Sequence, residues 1–348
     1  MLKSAKTLLN RLKIDDITLD LTSGYTVIYQ QGDGHSAIKV NEPAILVIDG
    51  DSCLAFGKEA ENITGKCPDG VRVVYPVQKG IIAEPNYCEQ LLRHYFKIIA
   101  DENKSPFRFL RIYPDVLAII PHSATASTRK VMIETIDAAG AKGIELISSL
   151  QAAARGIGIG KDNAGASIIM NIAKDYTEIG IISLNKIHYA TTLQVGYDDF
   201  QKSIIEYIRV HSDYTIGINN AKKALDKLGT AYFLPEDDEH QEEVISGLLK
   251  RTSVPESLKL TKLQVHTAIR PLVDKLLTGL LEVLEKAKED MADDLKENGV
   301  NIVGVGGRIS RLDIAISQAL NIRASLANNY ETCIVEGAGK IQAARNKK

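Results

Sequence analysis

The chain has no tryptophan, and aromatic residues make up only 5% of it. Proteins that hold single-stranded nucleic acid stack bases on aromatic rings, so that class of partner is disfavoured. A formal net charge of −2 also removes any general electrostatic pull toward nucleic acid. The four cysteines, Cys53, Cys67, Cys88 and Cys333, are widely spaced and form no C-x-x-C. Neither a zinc site nor a disulfide framework is indicated, and a reduced, cytosolic setting fits. No apolar run has the length of a membrane span, and no signal-peptide pattern is present. What is left is ordinary globular composition, 45% apolar and 25% charged. A chain of 348 residues is long enough for one large or two medium cores.

One motif is present only in outline. Gly156, Gly158 and Gly160, followed by Lys161, imitate a phosphate loop. The Walker spacing G-x-x-x-x-G-K-[ST] fails, because position 155 is Arg and position 162 is Asp. The run reads as a helix end and a connection.

Two stretches carry the fold. Ile168–Ile172 and Ile179–Leu184 are short β-branched apolar runs around a turn-like Ala173-Lys174-Asp175-Tyr176. Ile17–Leu21, Thr22-Ser23-Gly24 and Tyr25–Tyr29 repeat the layout. Each predicts a strand, a tight turn and a strand. Along Ile17–Leu21 the alternation predicts a half-buried strand, with Thr18 and Asp20 on the face away from Leu19. Between and after the hairpins, strands and helices alternate. Val116–Ile120 and Ile144–Ile147 read as strands, and Ser127–Ala139 as a helix stopped by Gly140. Leu263–Ala287 reads as a long core helix, with Pro271 near its first turns and Leu272, Leu276, Leu280 and Leu284 on one face, joined by Val273, Leu277 and Leu281. Asn301–Val305 reads as a strand, after which Gly306-Gly307 opens a helix from Ser310. Pro235–Glu243 reads as a solvated acidic loop, since its carboxylates lack a fixed ligand spacing. The pattern predicts an α/β protein of two similar halves.

Residues 1–13 carry Lys3, Lys6, Arg11 and Lys13 and no acid. Wound as a helix, Leu2, Leu8, Leu9 and Leu12 share one arc and the bases lie outside it. Such a segment can lie on an anionic membrane surface; a frayed basic tail is the other reading.

Scattered residues along nearly the whole chain give these features a family. Leu19-Asp20-Leu21, Asn41-Glu42-Pro43, Gly80-Ile81-Ile82-Ala83, Ala138-Ala139-Gly140-Ala141, Ile182-Ser183-Leu184, Gly306 and Leu312-Asp313 occur in register. In these residues the chain resembles the MreB family of bacterial cell-shape proteins. The resemblance implies the actin-like fold and assembly into membrane-bound double filaments. It divides the chain into the amphipathic segment 1–13, a half at 14–147 with an insertion at 33–76, and a half at 148–348. The second half has an insertion at 196–258 and a helix at 330–345 that returns to the first half.

The resemblance also implies where a nucleotide site would lie, and there the residues depart from the family. In the first hairpin Asp20 keeps the position that holds magnesium through water. Thr22 replaces a glycine, and Tyr25 replaces a small amide and could fill space meant for phosphate. The family's catalytic glutamate falls at Thr128, a poor general base. Its E-E-P segment reads Ser148-Ser149-Leu150. In the second hairpin the aspartate has become Asn171, and Lys174 and Tyr176 stand where glycine and threonine belong. In the nucleoside region Leu225 and Lys227 replace Lys and Glu, while Gly306 and Gly307 survive. Lys174 could meet a phosphate, or pair with Asp20 and hold the site shut.

The expected function is therefore a membrane-associated filament subunit or scaffold with ATP binding and hydrolysis lost or strongly impaired. No cofactor is expected; the alternative is ATP or ADP with magnesium in a rewired pocket. A non-polymerising adaptor is a third reading. Expected partners are further copies of the chain, a true MreB homologue, cell-wall or membrane proteins, and the inner face of the cytoplasmic membrane. Arg129, Ile133 and Ile136 fall in the region that pairs protofilaments; facing the core is the competing reading for Ile133 and Ile136.

Overall fold

The computed structural model describes residues 16–22, 24–32, 35–50, 52–102, 114–159, 165–234, 237–238 and 240–346. The membrane segment expected at 1–13 lies outside the described residues. Among those described, no helix is long and apolar enough to cross a membrane. The chain forms two compact units, residues 1–158 with 332–348, and residues 159–331.

The first unit is built on a mixed five-stranded sheet. Its centre is β1 (Ile17–Asp20), antiparallel to β2 (Tyr25–Gly32), which pairs in turn with β3 (His35–Pro43). β4 (Leu46–Asp49), β5 (Ser52–Phe56), helix α1 (Gly57–Ile63) and β6 (Val71–Val74) follow as a separate small layer around Ile45, Val47, Ala55 and Ala60. The insertion predicted at 33–76 thus begins too early, because β3 belongs to the large sheet. The short pair β7 (Val77–Gln78) and β8 (Ile81–Ile82) leads to helix α2 (Pro85–Glu102). Then come β9 (Asp115–Ile120), helix α3 (Ala126–Ala138), β10 (Gly143–Ser148) and helix α4 (Ser149–Gly156). β9 lies parallel to β1, and β10 parallel to β9.

All four residues of β1 are buried, not only the face of Ile17 and Leu19. The C-terminal helix Cys333–Asn346 closes the other face. Its Gln342 accepts from the Thr18 hydroxyl at 3.2 Å and donates to the Ile17 carbonyl at 3.3 Å. That helix also packs on α4 through glycines. A Cβ on Gly337 would overlap the Ala152 carbonyl, and one on Gly156 would overlap that of Cys333. The boundary predicted at 147/148 therefore moves beyond α4, which packs with the first unit.

The second unit repeats the plan. β11 (Ser167–Ile172) pairs antiparallel with β12 (Thr177–Ser183), and β12 with β13 (Lys186–Leu193). Helix α5 (Tyr197–His211), β14 (Tyr214–Thr215), helix α6 (Ile218–Leu228), β15 (Glu242–Leu249) and β16 (Pro255–Thr261) follow, with β14, β15 and β16 forming a three-stranded sheet. Helix α7 (Lys262–Glu285) is started by Thr261 and Gln264, which cap each other's backbone N–H groups. Its core face is Val265, Ile269, Val273, Leu276, Leu280 and Val283. Of the predicted face, Leu272, Leu277 and Leu284 are half-buried and Leu281 is 45% exposed; Pro271 lies well inside the helix, not near its start. Helix α8 (Ala292–Asn298), β17 (Val300–Val303), helix α9 (Leu312–Leu320) and β18 (Ala324–Leu326) complete the unit, with β17 parallel to both β11 and β18.

The acidic loop is not simply solvated. The Asp237 side chain is 7% exposed and bonds Lys262 at 2.9 Å, Arg311 and the Leu234 N–H. These partners hold its carboxyl well below the ordinary carboxylate range. Lys262 and Arg311 lie far along the chain, so local composition gave no sign of them.

Candidate functional site

In open α/β sheets, ligands bind beyond the carboxyl ends of parallel strands. In the first unit those ends belong to β1, β9 and β10, and the register aligns Asp20 with Ile119, and Ile120 with Ser148. Asp20 is the one described carboxylate there. It is 3% exposed, and one of its oxygens already accepts the Thr22 N–H at 2.7 Å and the Thr22 hydroxyl at 2.6 Å. The backbone N–H closes a small turn on the carboxylate, and the Thr22 hydroxyl takes up a further lone pair that a hydrated cation would need. Tyr25 opens β2 opposite Pro43 and is half-buried.

Two helices begin beyond β9 and β10, and neither has an acid at its head. Thr125 caps α3: its hydroxyl accepts the Thr128 N–H at 3.2 Å and shares a 3.0 Å bond with the Thr128 hydroxyl. Thr128 is thus engaged in holding the helix start. At α4 the cap residue is Ser148, which makes no side-chain capping bond, and its buried Oγ has no partner among the described residues. His122, in the loop after β9, has its pKa lowered by burial and then by Arg129.

In the second unit the β11–β12 turn is strapped to the start of α5. Tyr197 N–H donates to the Ala173 carbonyl at 3.0 Å, Asp198 N–H to that of Lys174 at 2.8 Å, and the Thr177 hydroxyl to that of Val195 at 2.6 Å. Gly196 makes this possible, since a Cβ there would overlap the backbone of Asp175. Lys174 lies 3.9 Å from Asp198, whose pKa burial raises and Lys174 lowers. Tyr176 is 1% exposed, so its ring is part of the interior. Asn171 is also buried, and its Nδ2 has no hydrogen-bond partner among the described residues. An unsatisfied amide donor and a lysine suit an anion; they do not fit magnesium, which wants oxygen ligands and carboxylates.

The loop after β17 approaches β11 closely. A Cβ on Gly306 would overlap the Ile172 side chain, and one on Gly304 would crowd Asn171. Gly306 and Gly307 lie in a 3₁₀ turn, Val305–Arg308, and not at the head of a helix as predicted. Packing alone accounts for Gly306, and Gly307 is crowded by Leu326 and Tyr330.

Two mixed sheets, each opening on a β-hairpin and continuing through parallel strands, with a small layer inserted into each unit, define one fold family. The profile of the MreB/Mbl protein family matches residues 14–348. The chain belongs to that family. It is an actin homologue of the MreB kind, a protein of the cell-shape cytoskeleton. The cell shape-determining protein MreB of Pasteurella multocida is 30% identical over 332 residues, 94% of this chain and 92% of that protein. MreB5 of Spiroplasma citri, solved bound to ADP, superposes with a TM-score of 0.87 at 23% identity, covering 95% of this chain and 97% of that one. A MamK double helical filament subunit superposes with a TM-score of 0.75 at 13% identity, over 94% of this chain and 99% of that one. Both superpositions bear on the actin-like fold.

Within the MreB frame, the remaining candidate residues separate. Leu225 is 4% exposed and belongs to the core of the second unit, while Lys227 on the same helix is exposed. Leu225 is thus a packing residue, because α6 turns that side toward the sheet. On α3, Ile136 is fully buried beside Met132, whereas Ile133 is 40% exposed and Arg129 is exposed. Ile136 is therefore corrected to a core residue. Ile133 and Arg129 remain on the outer face.

Proposed function

We propose that this MreB-family chain is a filament subunit or scaffold, peripheral on the cytoplasmic face of the membrane, whose ATP hydrolysis is lost or strongly impaired. One observation carries the reading. The carboxyl ends of β1, β9 and β10 offer a single described carboxylate, Asp20, and Thr22 already occupies one of its oxygens. Thr128 at α3 and Ser148 and Ser149 at α4 supply no group that can take a proton from an attacking water near neutral pH. Residues 1–13 serve as the membrane contact in this reading, and Arg129 and Ile133 as part of the contact between filaments.

A second reading keeps a nucleotide. The amide of Asn171, unpartnered among the described residues, and the ammonium of Lys174 are donors suited to a phosphate. Spiroplasma citri MreB5 has been solved with ADP and with AMPPNP. ATP or ADP would then bind without being turned over at an ordinary rate.

Phosphate release and sedimentation, each with and without magnesium-ATP, separate the readings. Pelleting without nucleotide and no release above background is the expected result. Magnesium-dependent release that disappears in Asp20→Ala would overturn the pseudo-ATPase reading. A chain that stays monomeric under every condition and on lipid would overturn the filament and leave an adaptor.

A further inference from the structure

Helix α7 presents an outer face to solvent: Arg270, Asp274, Lys275, Leu281, Glu282 and Glu285 are all exposed. Beside it, between the end of β13 and the helix, lies a groove of about 450 Å³ whose apolar lining includes Leu193, Val195, Pro271 and Gly279. Pro271 and Thr278 lie on the same side as the exposed charges at 100° per residue. An open apolar groove next to an exposed leucine leaves both surfaces wet.

The charges are ordered along the helix. Arg270 and Lys275 stand in its first half, Glu282 and Glu285 in its second. Asp274 is already paired with Arg270 at 2.9 Å. Lys275, Glu282 and Glu285 make no ion pair among the described residues. A helix with this order complements a copy of itself run antiparallel. Lys275 then faces the copy's Glu282, and Arg270 its Glu285. In the same register Leu281 enters the hole bounded by Pro271, Asp274, Lys275 and Thr278, as a knob enters a hole of four residues. Charge matching and apolar filling agree on one alignment, and it places Thr278 next to a two-fold axis. A self-complementary patch of this kind is what an isologous contact requires.

We propose that the outer face of α7 is a two-fold self-association surface whose occupant is the α7 of a second copy of this chain. The contact is distinct from the α3 face and does not depend on a nucleotide.

The test is oxidative cross-linking of the full chain carrying Thr278→Cys, with the partly exposed Cys53 and Cys67 changed to serine. The expected result is a self-linked dimer. Thr267→Cys, roughly 16 Å along the same helix from the axis, gives none. Lys275→Glu or Glu282→Lys alone lowers linking about tenfold, since each sets like charges opposite one another. Lys275→Glu with Glu282→Lys restores it. Equal linking at positions 267 and 278, failure of the double reversal to restore linking, or linking only to a different protein would each overturn the proposal. Thermal melts confirm that every variant is folded, as expected for exposed positions. Sedimentation of the same samples reports filament formation separately, so loss of this contact is distinguishable from loss of the filament.

Discussion

Ile133 and Ile136 stand one turn apart on α3, and the structure assigns them opposite roles. Ile136 is fully buried in the core of the first unit. Ile136→Ala removes three carbon atoms from that core. At about 0.8 kcal/mol per buried methylene the transfer loss alone is roughly 2.4 kcal/mol, and the cavity carries the total into the range of about 2–5 kcal/mol. For a unit of this size each kcal/mol shifts the melting temperature by about 2–4 °C, so a loss of at least 5 °C is expected at roughly 2.4 kcal/mol. Ile133 is 40% exposed and keeps solvent on one side. Ile133→Ala should stay within about 1 kcal/mol, since it removes partly hydrated surface and leaves no closed cavity. Its effect should appear in assembly instead. Urea melts and sedimentation of both variants make the comparison. If Ile133→Ala destabilised the fold as much as Ile136→Ala, or if Ile136→Ala melted like the wild type, the assignment of the two faces would be wrong.

Other outcomes follow from the same geometry. Thr22→Gly removes the 2.6 Å hydroxyl bond to Asp20 and leaves only the 2.7 Å backbone N–H bond on that oxygen; it should strengthen any magnesium-dependent binding of ATP seen by calorimetry, and unchanged binding would count against the blocked-carboxylate argument. Gly337→Ala forces the C-terminal helix off α4; a drop in stability of about 1–3 kcal/mol is expected from overpacking, read in urea, whereas Gly217→Ala, where a Cβ meets nothing, should be far milder. Asp237 has a depressed folded-state pKa, with Arg311 the largest cause and Lys262 next. Its contribution is fully present above the unfolded value of about 3.9 and is lost as pH falls through the lower folded value. The stability gap between wild type and Asp237→Asn should therefore be constant from about pH 5 to 8 and shrink below about pH 4; a gap that shrank on going from pH 5 to 8 would have the wrong sign.

Much of the fold was legible in one dimension because its signals are local. A β-branched run, a turn and a second run declare a hairpin whatever lies around them, and both hairpins formed where the runs predicted. Gly140 likewise marked the end of α3 at the level of a single residue. That positions 171 and 128 carry no carboxylate was equally readable, since Asn171 and Thr128 differ from carboxylates in any conformation. The limits of the inserted layer were not readable. Whether β3 joins the large sheet depends on its pairing with β2, which neither strand's composition states.

The amino-acid sequence by itself determined the alternating α/β plan, the two hairpins and the residue types that they carry. Periodicity and residue type are properties of the chain before it folds. Tertiary structure alone decided which side of a helix is wet, as between Ile133 and Ile136. It also decided that Asp237 is an anchored carboxylate and that Thr18 and Asp20 are buried. In each case the deciding neighbour comes from a distant part of the chain: Arg311 for Asp237, Gln342 for Thr18. Burial is set by what packs against a residue, and that partner exists only after the chain has closed on itself.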